Sequence, residues 1–289
     1  MSESRLTVES LVSSISDLPS LPQAALRVIE LTDNSASTAL TIASVLAQDQ
    51  ALAVKVLRLA NSAYYGLSRK VSTLQDAVVV LGMRTVRNLA LVASSYPWMV
   101  KPVAGYDLGP KQLFCHSFGV ATGAQLVARY CRFANPDEAF TAGLMCDIGK
   151  IAMSSCLEGS VHRIVEAAQN FCLSFDLAER QLFGFDHAEV GEYLARSWNF
   201  PAQAIEAIRY HHAPQTIQKW NPIVDCVHVG DYLTSIMGFG LGADGMQYIF
   251  DDSTLERLSM KAEDLDQVVN EFVEQYEAYE RNFEELQAA

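Results

Sequence analysis

Apolar residues recur at three- and four-residue intervals along nearly the whole chain, as in ALAVKVLRLANSAYY and VGEYLARSW, and no long run alternates apolar with polar residues. That period lays apolar groups on one face of a helix, whereas a half-buried strand would alternate at every residue. The chain is therefore expected to be all-α. Its punctuation agrees with this reading. Asn135, Pro136 and Glu138 supply a cap, a proline at the first helical position and an acid in the first turn. Asp186 followed by Glu189 makes a similar box, Pro201 opens AQAIEAIRYHH, and Gly66 and Pro214 mark stops.

Half of the 289 residues are hydrophobic and 19% are charged, so burial can offset chain entropy in one helical body or two. The stretch SSYPWMVKPVAGYDLGPK holds three prolines and two glycines without an apolar period, which makes residues 95–110 the best place for a boundary. Three parts are expected: 1–105, 106–250 with all six histidines, and an acidic extension over 251–289. In that extension Val268, Phe272 and Tyr276 are spaced by four, a pattern expected to pack onto the body.

The most apolar window, DAVVVLGMRTVRNLALVASS, is broken by Arg84, Arg87 and Asn88, while a membrane span needs about 20 largely apolar residues. No membrane helix is expected. The start, MSESRLTVES, has no secretory pattern, and six cysteines lie singly with no CxxC pair, so a reducing cytoplasm is the expected location. A net charge of -13 repels polyanions and argues against nucleic acid as a partner, although Tyr64 and Tyr65 sit in a basic segment. Between 51 and 100, Lys55, Arg58, Arg69, Lys70, Arg84 and Arg87 face only Asp76. Arg58, Arg69, Arg84 and Arg87 are the expected contacts to a protein partner with an acidic surface; a solvated helix face is the plainer alternative.

Divalent ions that activate water for phosphate-ester cleavage are held by imidazoles and carboxylates drawn from several helices. The chain offers His116, Asp147, His187, His211, His212 and Asp231, the last inside the apolar run PIVDCVHVGDYLTSIM. A carboxylate there needs a cation or a donor, because an uncompensated buried charge costs several kcal/mol. Each residue also has a structural reading. His211 and His212 at a helix end complement its dipole, and His228 and Asp231, three apart, can satisfy each other. Spacing alone leaves both readings open.

The ordered series His116, Asp147-x-Gly-Lys150, His187, His211-His212 and Asp231 resembles the HD superfamily of metal-dependent phosphohydrolases. LPSLPQAALRVIEL, VLRLANSAYYG, AVVVLGMRTVRNL, FTAGLMCDIGK, GFDHAEVGEYLARSWNFP and AIRYHHAP are similar to its HDOD branch, from about Leu18 to Tyr232. The resemblance implies a two-part all-helical protein, an N-terminal helical module joined to an HD-like bundle, used for signalling or regulation. It carries the metal-type role to His116, Asp147, His187, His211, His212 and Asp231.

One letter departs from the pattern: Cys146 stands where the histidine that names the HD motif would be. A thiolate there lengthens a zinc bond from about 2.0 to about 2.3 Å and suits Mg2+ or Mn2+ poorly. Among Leu144, Met145 and Ile148 a small thiol packs well, so an inert core role is expected. The GYP motif of the related phosphodiesterases is replaced by HHAPQTIQKWNP. The expected function is a non-catalytic or vestigial HD-type module that acts through a protein partner or a small phosphorylated ligand. A divalent metal (Mn, Fe, Mg or Zn) is expected at low occupancy. The enzymatic alternative is a metal-dependent phosphohydrolase with Asp147 and Lys150 as its catalytic pair.

Overall fold

The computed structural model describes residues 7–15, 20–32, 34–62, 65–132, 135–157, 159–245 and 248–287, with backbone alone at 262 and 279–287. Tyr64 lies outside the described residues. Among those residues there are helices and turns and no strand; a single bridge joins Val103 to Leu108. The all-α expectation is met.

The chain divides into two compact units. One comprises Ser20–Pro97 with Val269–Ala289, the other Met1–Pro19 with Trp98–Val268. Helix α1 (Val8–Ser14) belongs to the second unit, where it packs on helices introduced below. The first unit holds α2 (Gln23–Thr32), α3 (Ala39–Leu46), α4 (Gln50–Ala60), α5 (Leu74–Leu81) and most of α6 (Met83–Met99). Thr38, Asp49 and Thr73 cap α3, α4 and α5 by accepting backbone N–H groups that the helix itself cannot pair. At the end of α4, Asn61 donates to Leu57 O and Val71 O and accepts from Val71 N–H at 2.7 Å, which ties the following loop to the helix.

The second unit carries α7 (Gln112–Cys131), α8 (Pro136–Met145), α9 (Gly149–Leu157), α10 (Val161–Phe171), α11 (Phe175–Phe183), α12 (His187–Ser197), α13 (Ala202–Tyr210), α14 (Pro222–Ile236) and α15 (Ser253–Arg257). Helix α16 (Ala262–Gln287) begins in this unit and from Val269 onward belongs to the first; its Val268, Phe272 and Tyr276 are buried, as their spacing predicts. Helix α7 is buried from Phe118 through Ala128 and packs against α8 and α14. The α7–α14 crossing is close because Gly230 has no side chain; a Cβ there would sit 2.6 Å from Ala124 N. Gly149 does the same for α9 and α12, since a Cβ would fall 1.9 Å from His187 O. These two contacts bring His116, Asp231, Asp147 and His187 to one place.

The proline- and glycine-rich stretch is not an open linker. Helix α6 continues through Pro97 to Met99, and a tight turn over Val103–Leu108, closed by Val103 N–H to Leu108 O at 2.9 Å, buries Tyr106 completely.

Candidate metal centre

Asp147 sits in the turn between α8 and α9, with its backbone O accepting from Lys150 N–H. His187 is the first residue of α12, behind the cap Asp186, whose Oδ1 accepts from Glu189 N–H at 2.7 Å. His211 and His212 follow the end of α13, His116 projects from α7, and Asp231 from α14. The structure brings all six expected residues together, and they divide into two halves about Asp147.

In the first half, Asp147, His187, His211 and His212 each direct one ligand atom into a group whose members all lie within 4.8 Å of one another. Asp147 Oδ1 is 3.4 Å from His187 Nε2 and 3.8 Å from His211 Nε2, and the His187 and His212 Nε2 atoms are 2.9 Å apart. Two of these atoms, Asp147 Oδ1 and His211 Nε2, are buried without a hydrogen-bond partner. His211 Nδ1 faces the Ile208 carbonyl at 2.8 Å, and a carbonyl only accepts, so Nδ1 carries a hydrogen and Nε2 is the nitrogen turned toward Asp147. Burial and then the neighbouring His211 and His187 hold the His212 pKa well below the usual histidine value, so that ring is neutral. Two buried polar atoms without partners, set beside two further imidazoles, fit a cation, and three imidazoles with one carboxylate suit a borderline transition ion.

The second half is satisfied internally. His116 Nδ1 faces Phe239 O at 3.2 Å, while its Nε2 lies 3.0 Å from Asp231 Oδ1 and 3.3 Å from Asp147 Oδ2. With acceptors on both nitrogens the ring is an imidazolium: burial lowers its pKa, but Asp231 and Asp147 outweigh burial and raise it. Lys150 Nζ donates to Asp147 Oδ2 at 2.8 Å and to Asp244 Oδ2 at 2.5 Å. Burial opposes ionisation of Asp147, yet Lys150 and the surrounding histidines hold its carboxyl well below the usual carboxylate range. Three carboxylates thus meet two built-in cations. The cavity that remains is about 30 Å3.

Cys146 takes no part in the four-residue group. Its thiol donates to Gly143 O at 3.2 Å, one turn back, and burial pushes its pKa well above the ordinary thiol value. The pairing of His228 with Asp231 does not form. His228 Nδ1 instead donates to His211 O at 2.6 Å and its Nε2 accepts from Asp251 N–H at 3.0 Å, bracing the loop that carries the paired histidines. Arg58, Arg69 and Arg84 are exposed, but Arg87 is 1% exposed and is withdrawn from the expected partner surface: its place on α6 turns it inward, where it cannot steer an approaching molecule.

Sequence reading missed Glu179, Tyr106 and Asp244. Glu179 reads as one more acid of an amphipathic helix, yet it is wholly buried, accepting from Tyr106 Oη and from His187 Nδ1. Burial lowers the His187 pKa, and Glu179 more than reverses this, pushing it up to about 9 in the metal-free protein. Asp244 lies in a glycine-flanked loop, GADG, where nothing marks a buried ion pair.

A family model described as HDOD domain matches residues 18–214. Among solved structures, an HDOD domain protein of unknown function from Geobacter sulfurreducens is 26% identical, covering 95% of this chain and 96% of its own, with a TM-score of 0.76. A candidate phosphohydrolase from Shewanella amazonensis SB2B is 27% identical over 94% of this chain and 97% of its own, with a TM-score of 0.68. A candidate signal transduction protein from Marinobacter aquaeolei VT8, 22% identical over 96% of this chain and 60% of its own, shares the fold at a TM-score of 0.70. An uncharacterized protein of Treponema pallidum is 25% identical over 224 residues, which is 75% of this chain but 42% of that longer protein. No helix among the described residues is long and apolar enough to cross a membrane.

Proposed function

We propose, since the chain belongs to the HDOD domain family, that it is a signalling module which works by binding, with a His/Asp cavity that holds one divalent ion and turns over no phosphoester. The observation that carries this reading is the position of Lys150. Its ammonium, bound to Asp147 Oδ2 and Asp244 Oδ2, neutralises the side of Asp147 on which a second ion would have to bind. A two-ion clamp on attacking and leaving oxygens needs that side free.

Asp147 Oδ1, His187, His211 and His212 are the proposed ligands of the single ion. Mn2+, Fe2+ and Zn2+ match these donors better than Mg2+, which prefers oxygen. A bound ion would supply charge to an oxygen ligand and tie together the turn after α8, the start of α12 and the end of α13. The cavity volume supports a binding role of this limited kind, since sites for drug-sized molecules run to roughly 300–1,000 Å3. Exposed Arg58, Arg69 and Arg84 are the proposed contacts to an acidic protein surface.

The phosphohydrolase reading is favoured by the orphaned Asp147 Oδ1 and His211 Nε2 and by the Shewanella neighbour. In it His116, Asp147 and Asp231 hold metal and Lys150 steadies phosphate, which requires Lys150 to leave Asp244. Metal analysis of protein purified without chelator, together with a phosphodiesterase assay of the same sample, separates the two.

A further inference from the structure

We infer that Glu179 is a positioning residue for this centre: it holds His187 with Nδ1 on its own carboxylate and Nε2, the nitrogen an ion would take, turned to Asp147, and Tyr106 holds Glu179 in turn. The inference rests on the reading of the cavity as an ion site. Glu179 is 0% exposed on α11, and a carboxylate survives such burial only with its oxygens satisfied. Its Oε1 accepts from the Tyr106 hydroxyl at 2.5 Å. Its Oε2 accepts from the His187 backbone N–H at 2.9 Å and from His187 Nδ1 at 2.7 Å. One oxygen thus fixes both the start of α12 and the orientation of the ring that α12 carries.

A carboxylate can only accept, so Nδ1 keeps its hydrogen and Nε2 is the nitrogen left for an ion, 3.4 Å from Asp147 Oδ1. The three imidazoles are not equivalent in this respect. His211 leans on a neutral carbonyl, Ile208 O, whereas His187 leans on a charge, and a charged acceptor behind a ring makes its far nitrogen the stronger donor. Tyr106 comes from the Val103–Leu108 turn and stands edge-on to the His187 ring, with centroids 6.2 Å apart at 89°. A turn and two helices therefore converge on one imidazole, from residues 73 and 8 positions away in sequence from Glu179.

The test uses the full chain, stripped of metal, and measures Zn2+ affinity by competition titration together with imidazole 1H–15N spectra of the metal-free protein. Glu179→Ala is expected to weaken Zn2+ binding roughly 10- to 100-fold, the usual effect of removing a carboxylate behind a ligating histidine. Glu179→Gln keeps an acceptor for Nδ1 without the charge and is expected to fall between it and the unaltered protein. Tyr106→Phe should cost less than Glu179→Ala. In the spectra, the His187 Nδ1–H is expected as a slowly exchanging downfield signal in the unaltered protein and in Glu179→Gln, and lost in Glu179→Ala. Equal Zn2+ affinity in the unaltered protein and Glu179→Ala overturns the inference, as does absence of the Nδ1–H signal from the unaltered protein. If the unaltered protein takes up no Zn2+, the ion site under Proposed function fails, and the Nδ1–H signal alone decides the hold of Glu179 on His187. Should Glu179→Ala not fold, the Glu179→Gln affinity and spectra decide, with an affinity equal to that of the unaltered protein counting against the inference.

Discussion

The Lys150 ammonium lies 2.8 Å from Asp147 Oδ2, buried with it, while Asp147 Oδ1 on the other side of the same carboxylate has no hydrogen-bond partner. One carboxylate thus faces a built-in cation on one side and the imidazoles of His187 and His211 on the other.

If Lys150 competes with metal for Asp147, Lys150→Met should raise Mn2+ affinity by at least roughly tenfold, because a like charge in close contact is removed. The metal-free variant should lose about 3 kcal/mol, the cost of leaving buried Asp147 and Asp244 without their cation. Chemical denaturation with and without Mn2+ reads both effects. Unchanged Mn2+ affinity would remove Lys150 from the account.

The pH dependence of the metal-free protein follows from His187. Its folded pKa of about 9 lies above the unfolded value of about 6.5, so the charged ring contributes stability that is fully present below pH 6.5 and is lost as pH rises through 9. The size is about 3 kcal/mol at most. Melting in chelator from pH 6 to 10 should show this loss, and His187→Asn should flatten it. Metal uptake near pH 7.5 should release about one proton, because the ion displaces it from Nε2. A profile that rises across this window would contradict the assignment.

Cys146→His tests the departure from the motif. An imidazole beside Asp147 should raise affinity for Mn2+ or Fe2+, and overpacking should cost roughly 1–3 kcal/mol where no metal compensates. The thiol is already spent on Gly143 O and sits in a fully buried place. Melting temperature against Mn2+ should climb in the variant and little in the unaltered protein. Identical responses would mean that position 146 does not influence the site.

The basic helices separate a surface from a core. Arg84→Glu should leave circular dichroism and melting temperature nearly unchanged, as exposed substitutions do, within about 0.5 kcal/mol. Arg87→Glu should destabilise by about 3 kcal/mol, since it inverts a charge that is 1% exposed. Equal stability of the two variants would contradict the orientation of α6.

The helices were legible because caps and apolar period are local: Asn135 with Pro136 and Asp186 with Glu189 start α8 and α12 where the sequence says they should. The histidine and aspartate cluster was legible because histidines are few and their order is distinctive. What stayed hidden depends on contacts between distant residues. Glu179 looks like any helical acid until Tyr106, 73 residues earlier, is folded onto it. Asp244 and Lys150 meet across 94 residues. Arg87 differs from Arg84 only by one turn of α6, and the apolar period was too dense there to tell inside from outside.

A single-ion binding cavity without turnover is tested most plainly by Mn2+-stimulated hydrolysis of bis(p-nitrophenyl) phosphate, expressed per bound ion, for the unaltered protein and Asp147→Ala. Both are expected to match the metal-only blank while the unaltered protein binds at most one ion. Hydrolysis by the unaltered protein that rises with Mn2+ and disappears in Asp147→Ala would contradict it.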